Sequence, residues 1–164
     1  MKTLFFYIFV LSSIFSFSQK TLSKLLKQHN KESIPYISIK DLQNEKEHVI
    51  LLDSREKKEF KTSHLKNAIC VGYDSFNLAL IKPKLPSKDL KIVVYCSLGI
   101  RSEDVGEKLK KAGYKNVYNL YGGIFEWKNN NLEVLNSQEK PTDSVHTFSK
   151  TWSKWLNKGI KVYE

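Results

Sequence analysis

The chain has 164 residues, of which 41% are hydrophobic and 12% aromatic, and its formal net charge at pH 7 is +10. This length and composition are those of one ordinary globular domain, and they exclude a mostly disordered chain and a small scaffold that needs disulfides to fold. The basic residues are nearly all lysines, spread along the sequence without a dense run, so we expect no nucleic-acid partner.

Residues 1–18 have the composition of a secretory signal peptide. The start is positively charged, an apolar run covers residues 4–17, and Ser16 and Ser18 place small side chains just before Gln19. The run is too short for a comfortable membrane span, so we expect the mature protein to be exported to the periplasm or the exterior without stable membrane insertion. A retained membrane anchor is the alternative. A lipid-modified mature start is excluded because no cysteine follows the run.

Strand and helix patterns alternate after an N-terminal helix within residues 19–33. The predicted strands lie at 36–39, 49–53, 68–71, 90–95 and 117–120, and the predicted helices lie within 40–45, 56–64, 75–81, 101–112 and 122–127. Such alternation is typical of a parallel sheet covered by helices on both faces, because a crossover between parallel strands needs a long connection. We therefore predict an α/β domain over residues 34–135.

Residues 136–164 are predicted to form a C-terminal extension. Its large apolar residues recur at helical spacing: Val145, Phe148, Trp152, Trp155 and Leu156. This spacing predicts an amphipathic helix. We expect its apolar stripe to pack on the domain, and a face for a partner or a membrane surface is the alternative.

The two cysteines, Cys70 and Cys96, could form one disulfide in an exported protein. Their surroundings differ, so we expect both to remain free. Cys70 lies within a short apolar strand, where a buried inert thiol is usual. Cys96 follows a buried strand and precedes a polar turn, which favours a reactive role.

The segment that begins at Cys96 has the features of an anion-binding loop. A parallel strand delivers this cysteine to the carboxyl edge of the sheet, where α/β proteins bind their ligands. The turn contains Gly99 and leads directly into a helix that begins near Arg101. Backbone N–H groups, the helix dipole and the guanidinium all favour a thiolate over a thiol. We therefore predict that the pKa of Cys96 lies below the ordinary thiol value of about 8.5.

The active loop of the rhodanese family is similar to seven consecutive residues of this sequence: Cys96, Ser97, Leu98, Gly99, Ile100, Arg101 and Ser102. Three further marks occur in the family's order, at residues 52–56, 64–69 and 120–127, and the resemblance covers about residues 34–135. It implies a five-stranded parallel sheet between helices, with Cys96 catalytic and the six residues after it binding the substrate.

The resemblance also implies a ping-pong reaction at Cys96. This cysteine would take the outer sulfur of a donor such as thiosulfate or a persulfide, and would pass it to a thiol, a protein cysteine or cyanide. No metal or other cofactor is implied, and His29, His48 and His146 lack metal-ligand spacing. Arg101 lies five positions after Cys96, whereas the related cysteine phosphatases and arsenate reductases have one residue more. The shorter loop favours a single sulfur atom over a tetrahedral oxyanion.

One departure from the family pattern concerns the donor. In many rhodaneses the residue after the cysteine is basic, but here it is Ser97, followed by the apolar Leu98. The departure leaves Arg101 as the one cation of the loop. It predicts weak activity with thiosulfate and a preference for less charged or protein-borne donors.

Asp53 and Arg55 are predicted to support the site by pairing with the loop or with each other, and we favour a structural ion pair over a direct catalytic role. His64 is interpreted as a scaffold residue. Two other functions stay open: a thiol- or persulfide-carrying redox or protein-binding module without turnover, and a purely structural interaction domain. The complete loop around Cys96 argues against the structural role.

Overall fold

A computed structural model describes residues 22–45 and 49–163. The described residues fall into two units, which divide between Glu32 and Ser33. In the first unit residues 22–29 form helix α1, which confirms the predicted N-terminal helix. The predicted signal segment 1–18 lies outside the described residues. Of the helices within the described ranges, none combines the length and the apolar character needed to cross a membrane.

The second unit alternates strands and helices in chain order. Its strands are β1 Tyr36–Ile37, β2 Val49–Asp53, β3 Ile69–Cys70, β4 Lys91–Tyr95, β5 Asn116–Leu120, β6 Val134–Leu135, β7 Pro141–Thr142, β8 Ser144–His146 and β9 Ile160–Val162. Its helices are α2 Ile39–Asn44, α3 Lys57–Thr62, α4 Leu78–Ile81, α5 Arg101–Lys111, α6 Gly123–Asn129 and α7 Lys150–Ser153. A 3₁₀ helix, Lys82–Lys84, follows α4 directly.

Strands β1 to β5 form one parallel sheet in the order β1-β5-β4-β2-β3. The central strands β2 and β4 are apolar over most of their length, as expected for parallel strands that helices cover on both faces. This confirms the predicted five-stranded parallel fold. The register places Asp53 of β2 opposite both Tyr95 and Cys70. The ends of β2, β3 and β4 therefore meet at one edge of the sheet, and Cys96 lies one residue beyond it.

One face of the sheet packs against α5. Leu52 and Val94 from the sheet belong to the same buried cluster as Val105 and Leu109 from the helix. Burial of each such side chain contributes about 1.5–3 kcal/mol relative to leaving it in water. The helix that begins at Arg101 is therefore fixed to the sheet along its apolar face, and its first turn is held at the end of β4.

The C-terminal extension differs from the single amphipathic helix predicted for it. Strands β8 and β9 pair in parallel around the four-residue helix α7. A continuous helix is interrupted because Ser144–His146 is extended and Phe148 has a positive φ of 63°. Val145 and Leu156 are fully buried, so their spacing reflects packing from a strand and a turn. The extension bonds to α6, since the side chain of Asn129 donates to the Trp155 carbonyl at 3.0 Å.

Candidate active site

Cys96 directly follows β4, and only 1% of its surface is exposed. Its Sγ accepts a hydrogen bond from the Gly99 N–H at 3.1 Å, and the Ser102 Oγ lies 3.6 Å away. Gly99 has a φ of +108°, a conformation that glycine enters without the steric penalty of a side chain. The tight turn therefore brings a backbone donor back onto the thiol, as the glycine of this loop predicts.

Arg101, the first residue of α5, forms a bidentate ion pair with Glu59 of α3. Its Nη1 and Nη2 donate to the two carboxylate oxygens at 2.8 and 2.7 Å, and Nη2 also donates to Ser97 Oγ at 3.2 Å. The Arg101 and Glu59 side chains are 18% and 3% exposed. Pairs of this geometry are among the stronger charge-assisted hydrogen bonds in proteins. The cation of the loop is thus compensated by a buried carboxylate.

Glu59 is not among the residues predicted from sequence. It accepts a hydrogen bond from the Glu56 N–H at 3.0 Å, in a capping box that starts α3. The spacing of Glu56 and Glu59 at the helix start was the available signal, but it predicts a cap, not a partner for Arg101. Glu59 and Arg101 are 42 residues apart in sequence, and only the fold brings them together.

Asn119 is a second site residue that the sequence does not single out. It lies in β5 and is fully buried. Its Nδ2 donates to the Gly99 carbonyl at 2.8 Å, and its Oδ1 accepts from the Ser102 hydroxyl at 2.7 Å. Because that hydroxyl has one proton, it serves either Asn119 or the Cys96 sulfur, according to which acceptor is more negative. Strand β5 thereby fixes both the turn and the helix start of the loop.

The pKa of the Cys96 thiol lies below its ordinary value. Burial alone raises this pKa, because a thiolate in the interior loses its hydration. The positive charge of Arg101 and the hydrogen bonds from Ser102 and Gly99 favour the thiolate, and together they outweigh burial. The predicted direction of the shift is confirmed.

Asp53 and Arg55 form a fully buried ion pair at the end of β2. Arg55 Nη2 lies 2.6 Å from Asp53 Oδ2, and the Arg55 N–H donates to Asp53 Oδ1 at 2.9 Å. Arg55 Nη2 also donates to the Ser63 carbonyl at 2.6 Å. These bonds tie β2 to the end of α3, the helix that carries Glu59. Of the two arrangements considered for these residues, the structure places them against each other.

Cys70 has the opposite electrostatic environment. Burial, and next the negative charge of Asp53, raise the pKa of its thiol. It is half-buried and lines a cavity of about 570 Å³ beside Phe60 and His64. Cys70 and Cys96 are both free thiols. The pKa values of the two thiols are therefore shifted in opposite directions, upward for Cys70 and downward for Cys96.

His64 lies among scaffold contacts. Its Nδ1 is 3.0 Å from the Phe60 carbonyl, its Nε2 is 3.1 Å from Glu139 Oε1, and its ring stacks on Phe60. Within residues 22–45 and 49–163, no three or more His, Cys, Asp or Glu side chains are grouped to hold a metal ion.

The profile of a family described as Rhodanese-like domain matches residues 38–130, more than half of the chain. The chain belongs to the rhodanese-like family. Among solved structures, it is similar to a rhodanese-related protein from Thermoplasma volcanium, with a TM-score of 0.53, 28% identity, and coverage of 62% of this chain and 97% of the other. A thiosulfate sulfurtransferase from Pseudomonas aeruginosa shares the fold, with a TM-score of 0.58, 19% identity, and coverage of 85% and 26%.

Two curated relatives are each similar over about half of the chain. The adenylyltransferase and sulfurtransferase UBA4 of Candida albicans is 41% identical over 91 residues, which are 52% of this chain and 20% of the relative. The tRNA uridine(34) hydroxylase of Hamiltonella defensa is 38% identical over 81 residues, 48% of this chain and 23% of the relative. The chain thus spans about a fifth to a quarter of the length of these relatives.

Gly123 lies in residues 120–127, the last segment that resembles rhodaneses, and the loop at Cys96 requires a glycine there. The N–H groups of Ile124 and Phe125 donate to the carbonyls of Cys96 and Ser97 at 2.9 and 3.1 Å. Gly123 has a φ of +55°, and a Cβ on it would lie 2.3 Å from the Cys96 carbonyl oxygen. Because that contact is with backbone, a side chain at this position has to displace the loop itself.

We expect Gly123→Ala to lower the free energy of unfolding by about 2–4 kcal/mol, since overpacking adds to the positive φ. Gly113→Ala is the matched control. Its φ is +91°, but nothing lies within 4 Å of the added Cβ, so it should cost about 1 kcal/mol. Urea unfolding of both variants measures the difference. Equal losses would mean that the contact with the Cys96 carbonyl has no energetic weight.

Proposed function

We propose that this protein is a sulfurtransferase in which Cys96 carries a sulfane sulfur as a persulfide. The observation that carries the proposal is a thiol with a lowered pKa, held at the end of β4 by the Gly99 N–H within a rhodanese loop. The sulfurtransferase named among the relatives, 41% identical over the shared region, supports the same chemistry. Sulfur donors and thiol acceptors are the substrate classes that follow.

In the first step the Cys96 thiolate attacks the outer sulfur of the donor. With thiosulfate, Cys–S⁻ and S–SO₃²⁻ give Cys–S–S⁻ and SO₃²⁻, so the electron pair of the broken S–S bond leaves with sulfite. In the second step an acceptor R–SH takes the outer sulfur as R–S–SH, and Cys–S⁻ is regenerated. The sulfane sulfur changes carrier without an external oxidant or reductant, in two nucleophilic steps.

The loop stabilises the negative charge in both states of the cysteine. The Gly99 N–H points at Sγ, and the Arg101 guanidinium lowers the energy of the anion. Fixed donors of this kind need no reorganisation as charge develops, which is why they are effective in catalysis. Any rate advantage over a free thiol would come from this preorganisation.

We further propose that the donors carry less charge than thiosulfate. Arg101 is paired with Glu59 at 2.7 Å, so the two side chains together contribute no net charge beside the thiolate. Ser97 stands where many rhodaneses have a basic residue. A dianion would therefore meet the Cys96 thiolate with little compensating attraction. Organic persulfides, thiosulfonates and protein-borne persulfides suit this site better.

The intact mass of the purified protein, measured after incubation with thiosulfate and with an organic thiosulfonate, tests the proposal. We expect a gain of one sulfur atom that dithiothreitol removes, a larger adduct fraction with the thiosulfonate, and thiocyanate when cyanide is added. Absence of the adduct with every donor would contradict sulfur transfer.

A persulfide carrier without turnover is the second candidate function. The observation that favours it is the 1% exposure of Cys96, which restricts the approach of an acceptor. In that case the adduct forms once, and neither cyanide nor a small thiol discharges it. Steady production of thiocyanate would exclude a carrier without turnover and would support an enzyme.

We also propose that the protein is exported after removal of residues 1–18. The support is the sequence itself, with an apolar run at 4–17 and small side chains before Gln19. The same intact-mass measurement tests this when it is made on protein recovered from fractionated cells. A mature chain that starts at Gln19 outside the cytoplasm supports export, and an uncleaved cytoplasmic chain contradicts it.

A further inference from the structure

We propose that Phe148 forms an aromatic wall of the active site and selects sulfur donors that carry an apolar group next to the reacting sulfur. The inference rests on the proposed sulfur transfer and adds a specificity residue to it. Phe148 lies in the C-terminal extension, beyond residues 38–130 that the family profile matches. The resemblance to rhodaneses therefore assigns it no role.

Phe148 lies over the arginine of the loop. The guanidinium carbon of Arg101 is 5.2 Å from the centroid of the Phe148 ring, within the range of a cation–π contact. The same guanidinium reaches the Oγ of Ser97, the residue after the nucleophile, at 3.2 Å. The Arg101 side chain thus contacts both the Phe148 ring and Ser97. The ring belongs to the rim of the site.

The backbone holds Phe148 in an unfavourable conformation. Its φ is +63°, and bulky residues rarely occupy this left-handed region. Hydrogen bonds at this residue and at the one before it hold the conformation: the Phe148 N–H donates to His146 Nδ1 at 3.1 Å, and the Thr147 N–H donates to the Val162 carbonyl at 2.9 Å. His146 and Thr147 are buried. The strain is therefore supported by a fixed strand pair.

Core packing does not explain this strain. The Phe148 side chain is 53% exposed, so it gains little of the stabilisation that a buried aromatic residue provides. Strained residues of this kind concentrate at ligand contacts and active sites. A large apolar ring kept half in water beside the loop has a free surface, and a substrate group can cover it.

The charge at the rim favours the same class of substrate. Glu59 neutralises the charge of Arg101. The rim of the site therefore presents the aromatic ring of Phe148 beside an ion pair with no net charge. An aryl or alkyl group that packs on Phe148 loses its hydration favourably, and aromatic pairs add a further preference. The donor that fits best is a monoanion that carries an apolar group close to the sulfur atom that is transferred.

Two thiosulfonates separate the apolar contact from charge. Benzenethiosulfonate and methanethiosulfonate are both monoanions, and each reacts as Cys–S⁻ plus R–SO₂–S⁻ to give Cys–S–S⁻ plus R–SO₂⁻. The electron pair of the broken S–S bond leaves with the sulfinate in both cases. The donors differ only in the group R that would meet Phe148, and in its electronic effect on the leaving sulfinate, which is the same for every protein variant.

In the full-length protein we expect Phe148→Ala to lower the benzene-to-methane ratio of kcat/KM about five- to tenfold, mainly through the KM of the benzene donor. Phe148→Tyr should keep the ratio, because it keeps the ring. Leu80→Ala is the control, since Leu80 is also an exposed apolar side chain, at 74%, and should keep the ratio too. Phe148→Gly removes the ring and relieves the positive φ, so it serves if the alanine variant does not fold.

The outcomes for the two proposals are distinct. An unchanged ratio in Phe148→Ala or Phe148→Gly, with the sulfur adduct still formed, overturns the role of Phe148 and leaves sulfur transfer intact. A ratio that falls equally in Leu80→Ala also overturns it, because the effect would then be general. Absence of the adduct with both thiosulfonates in the unmodified protein overturns sulfur transfer itself.

Discussion

Cys96→Ser is expected to abolish the sulfur adduct and to lower kcat for thiocyanate formation by at least about three orders of magnitude. A serine hydroxyl stays protonated at neutral pH, and it cannot form the persulfide that both steps require. The Gly99 N–H and the Arg101 guanidinium would remain, but they act on an anion that no longer exists. The measurement is intact mass after donor treatment, followed by the steady-state rate with cyanide.

Cys70→Ser is the matched control for Cys96→Ser. Cys70 is the other cysteine of the chain, and burial and the charge of Asp53 raise the pKa of its thiol. We expect this variant to form the same adduct, because its thiol takes no part in the loop. Retention of the adduct in Cys96→Ser would contradict the assignment of Cys96 as the sulfur carrier, and loss of the adduct in both variants would contradict the assignment of Cys70 as inert.

The parallel sheet was predictable because its signals are local. The run at β4 is apolar and bounded by turns, and Gly113 follows the end of α5, so strand and helix could be read from neighbouring residues. The C-terminal extension was not predictable in this way. The helical spacing of Val145 and Leu156 is real, but strand pairing between β8 and β9 decides the backbone, and that pairing joins residues distant in sequence.

The site was predictable at its centre but not in its surroundings. Cys96, Gly99 and Arg101 are adjacent in sequence, and their chemistry follows from their order. Glu59 and Asn119 reach the loop from other elements, 42 and 20 residues from their partners. A charged residue at the start of α3 and a polar residue within β5 have many ordinary roles. Only their placement in the fold shows that Glu59 neutralises Arg101 and that Asn119 donates a hydrogen bond to the Gly99 carbonyl.

Arg101→Ala and Glu59→Gln should move the pH dependence of persulfide formation in opposite directions. The thiolate is the reactive form, so the rate rises as the pH passes upward through the pKa of Cys96. Loss of the Arg101 charge leaves burial to raise this pKa, and the rising limb moves to higher pH. Each unit of that shift lowers the rate below the pKa about tenfold. Loss of the Glu59 charge leaves Arg101 unopposed, and the limb moves to lower pH.

The fold also responds to these substitutions, so two further variants separate stability from charge. Arg101→Ala leaves the buried carboxylate of Glu59 unpaired, at a cost of about 3–5 kcal/mol in the free energy of unfolding. Arg101→Lys keeps the positive charge but loses the bidentate geometry. The double variant Arg101→Ala/Glu59→Gln removes the unpaired carboxylate.

In the Arg101→Lys variant we expect the rate of persulfide formation to rise near the original pH, although the variant is less stable. In the double variant we expect the rate to rise only at high pH, although stability is recovered. Single-turnover rates with methanethiosulfonate between pH 5 and 10 would show the limbs directly, a range of pH chosen to span the ordinary thiol pKa of about 8.5. If the pH at which the rate rises varies among the variants with the free energy of unfolding, and not with the charge at residue 101, then Arg101 acts on Cys96 through the fold alone.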